Sequence, residues 1–398
     1  MPKAFRLSFY LAPLSLSYLS LGVSLPAMSL LVVSKGFSLS SMSIVFVMYS
    51  VFVILFEVPS GMLADAKGRK TSFALGLLFS LLGTALLFSS SYLMLCLGFA
   101  LNGVGRAFGS GSLDALCIEE GRSHGRSLED MVLALDVNSS LSLSLGALGG
   151  GFLLNLGKEG PMLTYPVLAV RLALVVLALL LLLVLIAPEK REGSSSSDPM
   201  QLGLIKQAFR QAPFLLVYST SVLLNGILLG SVENYWQPYL KSLLASDSLL
   251  WVLGVITSLL FAVGILGSLL GRVLMNHISP PLFYCCATAL VFLLEFVQST
   301  IHSPWLFALV FSLVYLVFGS ASVVGQFLLN KAASDQVRSS MLSLSSFSLQ
   351  AGGVFANASA TLLFVFGGIS LYWKAMALLG IVGISLLSKP LLQRSPRS

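Results

Sequence analysis

Charge is scarce in this chain of 398 residues: only 10% are Asp, Glu, Lys or Arg, against 56% hydrophobic, and the mean hydropathy is +0.93. A soluble domain of this size cannot cover itself with so few charges, so a polytopic membrane protein is expected, with the lipid bilayer as its first partner. Histidine is nearly missing too. His124, His277 and His302 sit in separate loops, which excludes a local metal site. Cys96, Cys117, Cys285 and Cys286 all lie in apolar segments without metal spacing, so buried thiols are expected and no disulfide framework. No Gly-x-x-x-x-Gly-Lys-Ser/Thr phosphate loop appears, which excludes direct ATP coupling by that motif, and neither a nucleophile elbow nor His-Glu-x-x-His is found. No enzyme and no cofactor are implied. An intramembrane enzyme, the alternative of a different class, would need acids with Ser or His at depth, and serine is too widespread here to decide that point. The net charge of +7 raises nucleic acid as a partner, but the basic residues sit in short loops between apolar runs, as membrane orientation requires.

What the chain has in abundance is apolar length. Segments of about 20 or more residues lie near 9–34, 40–64, 70–90, 92–120, 127–155, 162–187, 213–240, 248–275, 280–300, 304–330, 336–366 and 368–388, which predicts twelve spans. The first follows Lys3 and Arg6, is too long for a signal core and reads as a retained span. With both termini inside, the inner segments collect seventeen cations and the outer ones only Lys35, Lys158 and Lys241. That asymmetry orients the chain as a multi-pass protein of the inner (cytoplasmic) membrane with cytoplasmic termini. Between 188 and 212 a polar stretch with four serines, Ser194 to Ser197, divides the spans six and six. The expected organisation is a bundle over 1–187, a cytoplasmic linker over 188–212 and a bundle over 213–398, with a cavity between the halves.

The most informative stretch runs from Glu57 to Lys70, Glu-Val-Pro-Ser-Gly-Met-Leu-Ala-Asp-Ala-Lys-Gly-Arg-Lys, and predicts a short hairpin between two membrane helices. Gly61 is expected to let a helix end approach a neighbouring backbone, and Gly68 to supply the positive φ of a tight reversal. Lys67, Arg69 and Lys70 mark a cytoplasmic turn. Asp65, four residues before Arg69, suits pairing with that arginine or facing a neighbouring helix N-terminus. A basic turn that merely fixes topology fits the cations as well.

Gly61-x-x-x-Asp65-x-x-Gly68-Arg69-Lys70 resembles the signature between helices 2 and 3 of the major facilitator superfamily, and Glu57-Val58-Pro59-Ser60 resembles its bacterial drug/proton antiporter branches. The resemblance implies an all-α integral membrane fold of twelve transmembrane helices in two pseudo-symmetric six-helix bundles. Ser110 to Glu119 resembles the small-residue end of helix 4 in those exporters. It implies a cytoplasmic latch in which Glu119, Asp65 and Arg69 meet the N-terminus of helix 11, which begins near Arg338. Where a second copy of the signature would fall, Gly271-Arg272 is followed by Asn276-His277 without a carboxylate, so the gate is expected to be asymmetric.

Charges at membrane depth are costly, and each raises a functional hypothesis. Glu57 lies about 6 Å from the inner end of its span, Asp136 about 13 Å deep and Arg106 about 20 Å. The resemblance makes helices 4 and 5 neighbours on the cavity. An Arg106–Asp136 pair, or Arg106 with Asp114 two turns on, is therefore expected, with Asp136 and then Asp114 as proton carriers. A static buried salt bridge is the competing reading. The same resemblance turns helices 6 and 9 outward, so Arg171 and Glu295 read as structural pairing or snorkelling at the bilayer edge. Glu233 precedes Asn234-Tyr235-Trp236-Gln237-Pro238-Tyr239, where Pro238 should break the helix, and the aromatics suit an interfacial belt or an outer gate equally. Gly146 to Gly151 gives one helix a small-residue face for packing against helix 8 or 10; it resembles an antiporter motif but lacks that motif's proline. Asn138, Asn225, Glu233, Trp236, Gln326, Gln350 and Asn357 are the candidate substrate contacts. The expected activity is proton-coupled export of an amphipathic small molecule by a monomer, with uniport or solute–proton symport as alternatives.

Overall fold

The computed structural model describes residues 7–187, 213–333 and 338–394, with only the backbone described at 338–340. The linker expected over 188–212 lies outside the described residues. Among these residues eleven helical segments are long and apolar enough to cross a membrane. A twelfth, α4 (Arg69–Leu86), stands where the third span was expected, its apolar content diluted by Arg69 and Lys70 at its start.

Three spans are divided rather than continuous. The first is α1 (Leu7–Ser24) and α2 (Met28–Ser34), separated at Pro26. After α3 (Leu39–Lys67) and α4, the fourth span is α5 (Tyr92–Gly109) and α6 (Ser112–Ser123), separated at Gly111, whose φ of 66° is left-handed. Then come α7 (Leu128–Leu154) and α8 (Tyr165–Leu185). The seventh span is α9 (Pro213–Glu233) and α10 (Trp236–Leu243). Its break falls at Asn234–Tyr235, ahead of the expected Pro238, because proline is tolerated in the first turn of the new helix, where its missing N–H has no intrahelical acceptor to lose. The remainder is α11 (Trp251–Leu274), α12 (Pro280–Gln298), α13 (Pro304–Ala332), α14 (Arg338–Phe366) and α15 (Ile369–Arg394).

The chain forms two compact units, Met1–Ser197 with Ala245–Ser258, and Asp198–Leu244 with Leu259–Ser398. The first unit also takes the start of α11. There Asn155 receives the Trp251 N–H, and Gly151 lies against Gly254. Inside the first unit α1 packs on α7 and α8, α5 on α3 and α4, and α4 on α8. Inside the second, α9 packs on α14 and α15, and α12 on α13 and α15. The pairings of the first unit thus recur among the corresponding helices of the second, although the two sequences repeat only faintly.

Both units have a close crossing at the same place in this scheme. A Cβ on Gly146 of α7 would sit 2.5 Å from Leu19 O of α1, and one on Gly226 of α9 would sit 2.0 Å from Leu349 O of α14. The glycine face of α7 therefore serves mainly α1, with Gly151 alone meeting the helix 8 segment. Close backbone approach of this kind compensates for the missing hydrophobic drive between helices in lipid. Gly146→Val should lower the thermal unfolding midpoint of the purified protein, by an overpacking cost of about 1–3 kcal/mol. Gly149→Ala, whose Cβ meets nothing within 4 Å, should leave it unchanged.

Candidate functional site

The expected hairpin contracts to one residue. Helix α3 continues through Pro59 to Lys67, Gly68 turns the chain with φ 94° and ψ 151°, and α4 starts at Arg69. Only glycine adopts that backbone readily. Gly61 is exposed with open space where a Cβ would stand, so its expected close approach is not made. Glu57 is exposed on α3, and Asp65 is half-buried two residues before the end of that helix. Arg69 pairs with Glu119 of α6 at 2.8 Å, bringing together two of the residues expected at the inner gate. Lys70 donates to Ile186 O, at the end of α8. The side chain of Arg338 lies outside the described residues.

Above this hairpin, a polar cluster forms where α1, α6 and α7 meet. Tyr18 OH donates to Asp114 Oδ1 at 3.2 Å, and Ser15 Oγ donates to Asn138 Oδ1 at 2.5 Å. The charges of Arg106 and Asp136 both reach Asp114. Neither expected ion pair of Arg106 forms, since no Arg106 nitrogen lies within 4.0 Å of an Asp136 or Asp114 oxygen. The break at Gly111 takes Arg106 and Asp114 off a common helix, and Arg106 and Asp136 are each exposed on their own helices. The partner of Asp114 is instead a tyrosine that stood in the sequence only as one aromatic among many.

Arg171 is neither at the bilayer edge nor salt-bridged. It is 5% exposed, and donates to Asn102 Oδ1 at 2.6 Å, Ser24 Oγ at 2.9 Å and Ser80 Oγ at 3.5 Å, from α5, α1 and α4 respectively. These partners were invisible in the sequence because short polar residues recur along every span. On the other side of the bundle Lys35 donates to Leu87 O at 2.8 Å and Ser89 O at 2.6 Å, closing the end of α4. Its burial pushes the ammonium below its ordinary pKa.

In the second unit the polar groups gather at the α9–α10 break. Asn357 of α14 accepts from Tyr235 OH at 2.8 Å and Asn234 Nδ2 at 3.1 Å, while Glu233 accepts from Tyr315 OH of α13 at 2.9 Å. Trp236 is 3% exposed and rests on Phe311; Tyr239 lies against Phe307 and Trp373 and donates to Ile301 O. These aromatics form part of the packed interior of the unit. Asn225 and Asn357 are likewise turned inward, Asn225 donating to Tyr284 OH at 3.2 Å. Of the expected cavity residues here, Glu233 and Gln326 are exposed and Gln350 is half-buried.

The two kinds of ion site predict unequal effects. The Arg69–Glu119 pair is 22% and 53% exposed, so Glu119→Gln should cost under about 1 kcal/mol. Arg171→Ala strands buried acceptors and should cost about 2–4 kcal/mol, with Arg171→Lys failing to restore it, because a point charge cannot replace the fork. Thermal unfolding in detergent checks the order of the two.

Comparison with solved structures gives the same architecture over nearly the whole chain. The nucleoside transporter NupG superposes with a TM-score of 0.79 at 15% identity, covering 98% of this chain and 99% of that one. A bacterial homologue of the human lysosomal transporter Spinster, inward-facing and unoccupied, gives 0.74 at 13%, covering 98% of both. A D-xylose-proton symporter gives 0.69 at 15%, covering 96% of both. No curated protein matches the chain. The resemblance to drug/proton antiporters is not confirmed, as the similar structures named here are a nucleoside transporter, a Spinster homologue and a sugar symporter. The sequence profile of the Major Facilitator Superfamily matches residues 14–356, and the chain belongs to that family of multi-pass membrane transporters.

Proposed function

We propose that this transporter moves an amphipathic small organic molecule by alternating access, coupled to protons at the cluster around Asp114. The observation that carries the proposal is the half-buried carboxylate of Asp114, held by Tyr18 beside a break in its own span and within reach of the charges of Arg106 and Asp136. A carboxylate so placed responds to a change in hydration or in its charged neighbours, which is what coupling to a conformational cycle requires. Asp114 thus takes precedence over Asp136, which is exposed and serves as a second charge in the same field. Glu57, exposed and about three turns before the end of α3, is the third candidate for proton entry.

Arg69 and Glu119 form the part of the inner latch that this reading assigns to the first unit, with Asp65, Gly68 and Lys70 shaping the turn and Arg338 opening the helix that would complete it. Asn138, Glu233, Gln326 and Gln350 are the polar groups assigned to substrate. The asymmetry of cations supports an orientation in the cytoplasmic membrane with both termini inside, and this reading takes the working unit as a monomer. Export in exchange for protons follows from the likeness of the Glu57–Ser60 and Ser110–Glu119 segments to exporters. Solute–proton symport is the second reading, favoured by the likeness of the whole chain to the D-xylose-proton symporter.

In proteoliposomes an imposed pH gradient should drive ethidium, an amphipathic probe, against its own gradient. Movement opposite to the proton flux supports export by exchange, and movement with it supports symport. Asp114→Asn should abolish gradient-driven movement while preserving the thermal shift that ethidium produces in the purified protein. Undiminished driven flux in that variant removes Asp114 from the mechanism.

A further inference from the structure

The interior of the second unit contains a carboxyl group for which neither a cation nor a role in coupling has yet been assigned. Glu295, on α12, is fully buried at 0% exposure. One of its oxygens, Oε1, lies 2.5 Å from Ser231 Oγ on α9, and the other has no hydrogen-bond partner. Among the described residues no cation lies within 4.0 Å of it. Three helices pack on α12. On α15 the hydroxyl of Tyr372 donates to Ala356 O at 2.8 Å, and Lys374, two residues on, makes no pair with the carboxyl. From α9 the nearest acid, Glu233, is bonded to Tyr315 of α13.

The single hydroxyl proton of Ser231 has two oxygens to serve, Glu295 Oε1 and Leu228 O. Its Oγ also lies 2.7 Å from Leu228 O, an acceptor that can only receive. A serine hydroxyl has one proton, so when that proton goes to Leu228 the contact with Glu295 closes only if the carboxyl supplies a hydrogen. An unpaired carboxylate fully out of water is also far costlier than a neutral acid.

We infer that Glu295 is a neutral carboxylic acid that donates to Ser231 and so fixes the last turn of α9 to α12, three residues before the α9–α10 break. Trp373 of α15 holds the same residue from another side, its Nε1 donating to Ser231 O at 2.8 Å. Glu295 is a positioning residue. It keeps its proton rather than passing it on, and is distinct from the cluster around Asp114, so that failure of either assignment leaves the other standing.

Infrared spectra of the purified protein should contain the C=O stretch of a protonated carboxyl that persists from about pH 5 to about pH 8, above the ordinary titration range of glutamate. That band should vanish in Glu295→Gln. The glutamine amide still donates, so this variant should unfold within about 2 °C of the parent, whereas Glu295→Ala and Ser231→Ala should each lower the midpoint by about 3 °C or more. Absence of the band, its loss on raising the pH through the ordinary range, or equal destabilisation by Gln and Ala would each overturn the inference. Ser231→Ala keeps the test decisive if Glu295→Ala does not fold.

Discussion

A polar group in the hydrocarbon of a bilayer has no water to fall back on, and most of this structure follows from that constraint. Arg171 is surrounded by Asn102, Ser24 and Ser80, Asp114 is met by Tyr18, and Asn357 accepts from Asn234 and Tyr235. Each is satisfied mainly by neutral groups on neighbouring helices of its own unit rather than by an opposite charge. Among the described residues the salt bridge is Arg69–Glu119, at the partly exposed turn between α3 and α4. Neutral partners suit a dry interior, because an ion pair there recovers its desolvation cost only with near-ideal geometry.

Breaks in the spans obey the same rule. Where the fourth span stops at Gly111 and the seventh at Asn234–Tyr235, the helix gives up backbone bonds, and polar side chains from other helices cluster there. Irregular backbone at membrane depth is tolerated only where protein or a wet cavity receives it. Such points bend more readily than an unbroken helix, which makes them natural places to couple a bound solute or a proton to a change of conformation. The close glycine crossings of α1 on α7 and of α9 on α14 provide rigid counterparts to these flexible points.

Much of the fold was legible in composition and order. Twelve apolar segments, a polar division near the middle and one ordered motif were enough to predict the family, because bilayer thickness and backbone satisfaction leave few alternatives. The site was legible only in part. Gly68 and Arg69 stand out since few residues serve a one-residue reversal with cations beside it. Trp236 and Asn225 could not be placed in advance, because an aromatic or an amide in a span has the same appearance in sequence whether it faces a cavity or its own bundle.

By itself the sequence determined that the chain lives in a membrane, how often it crosses and where it turns, since those depend on length, apolarity and local backbone preference. Only the tertiary structure decided which polar groups meet. Asp114 with Tyr18, Arg171 with Asn102 and Glu295 with Ser231 are separated by tens of residues, and serine and tyrosine recur too often to be matched in advance. Their pairing depends on which helices pack and on the rotation of each about its axis, and these are set by the sum of many small contacts rather than by any local motif.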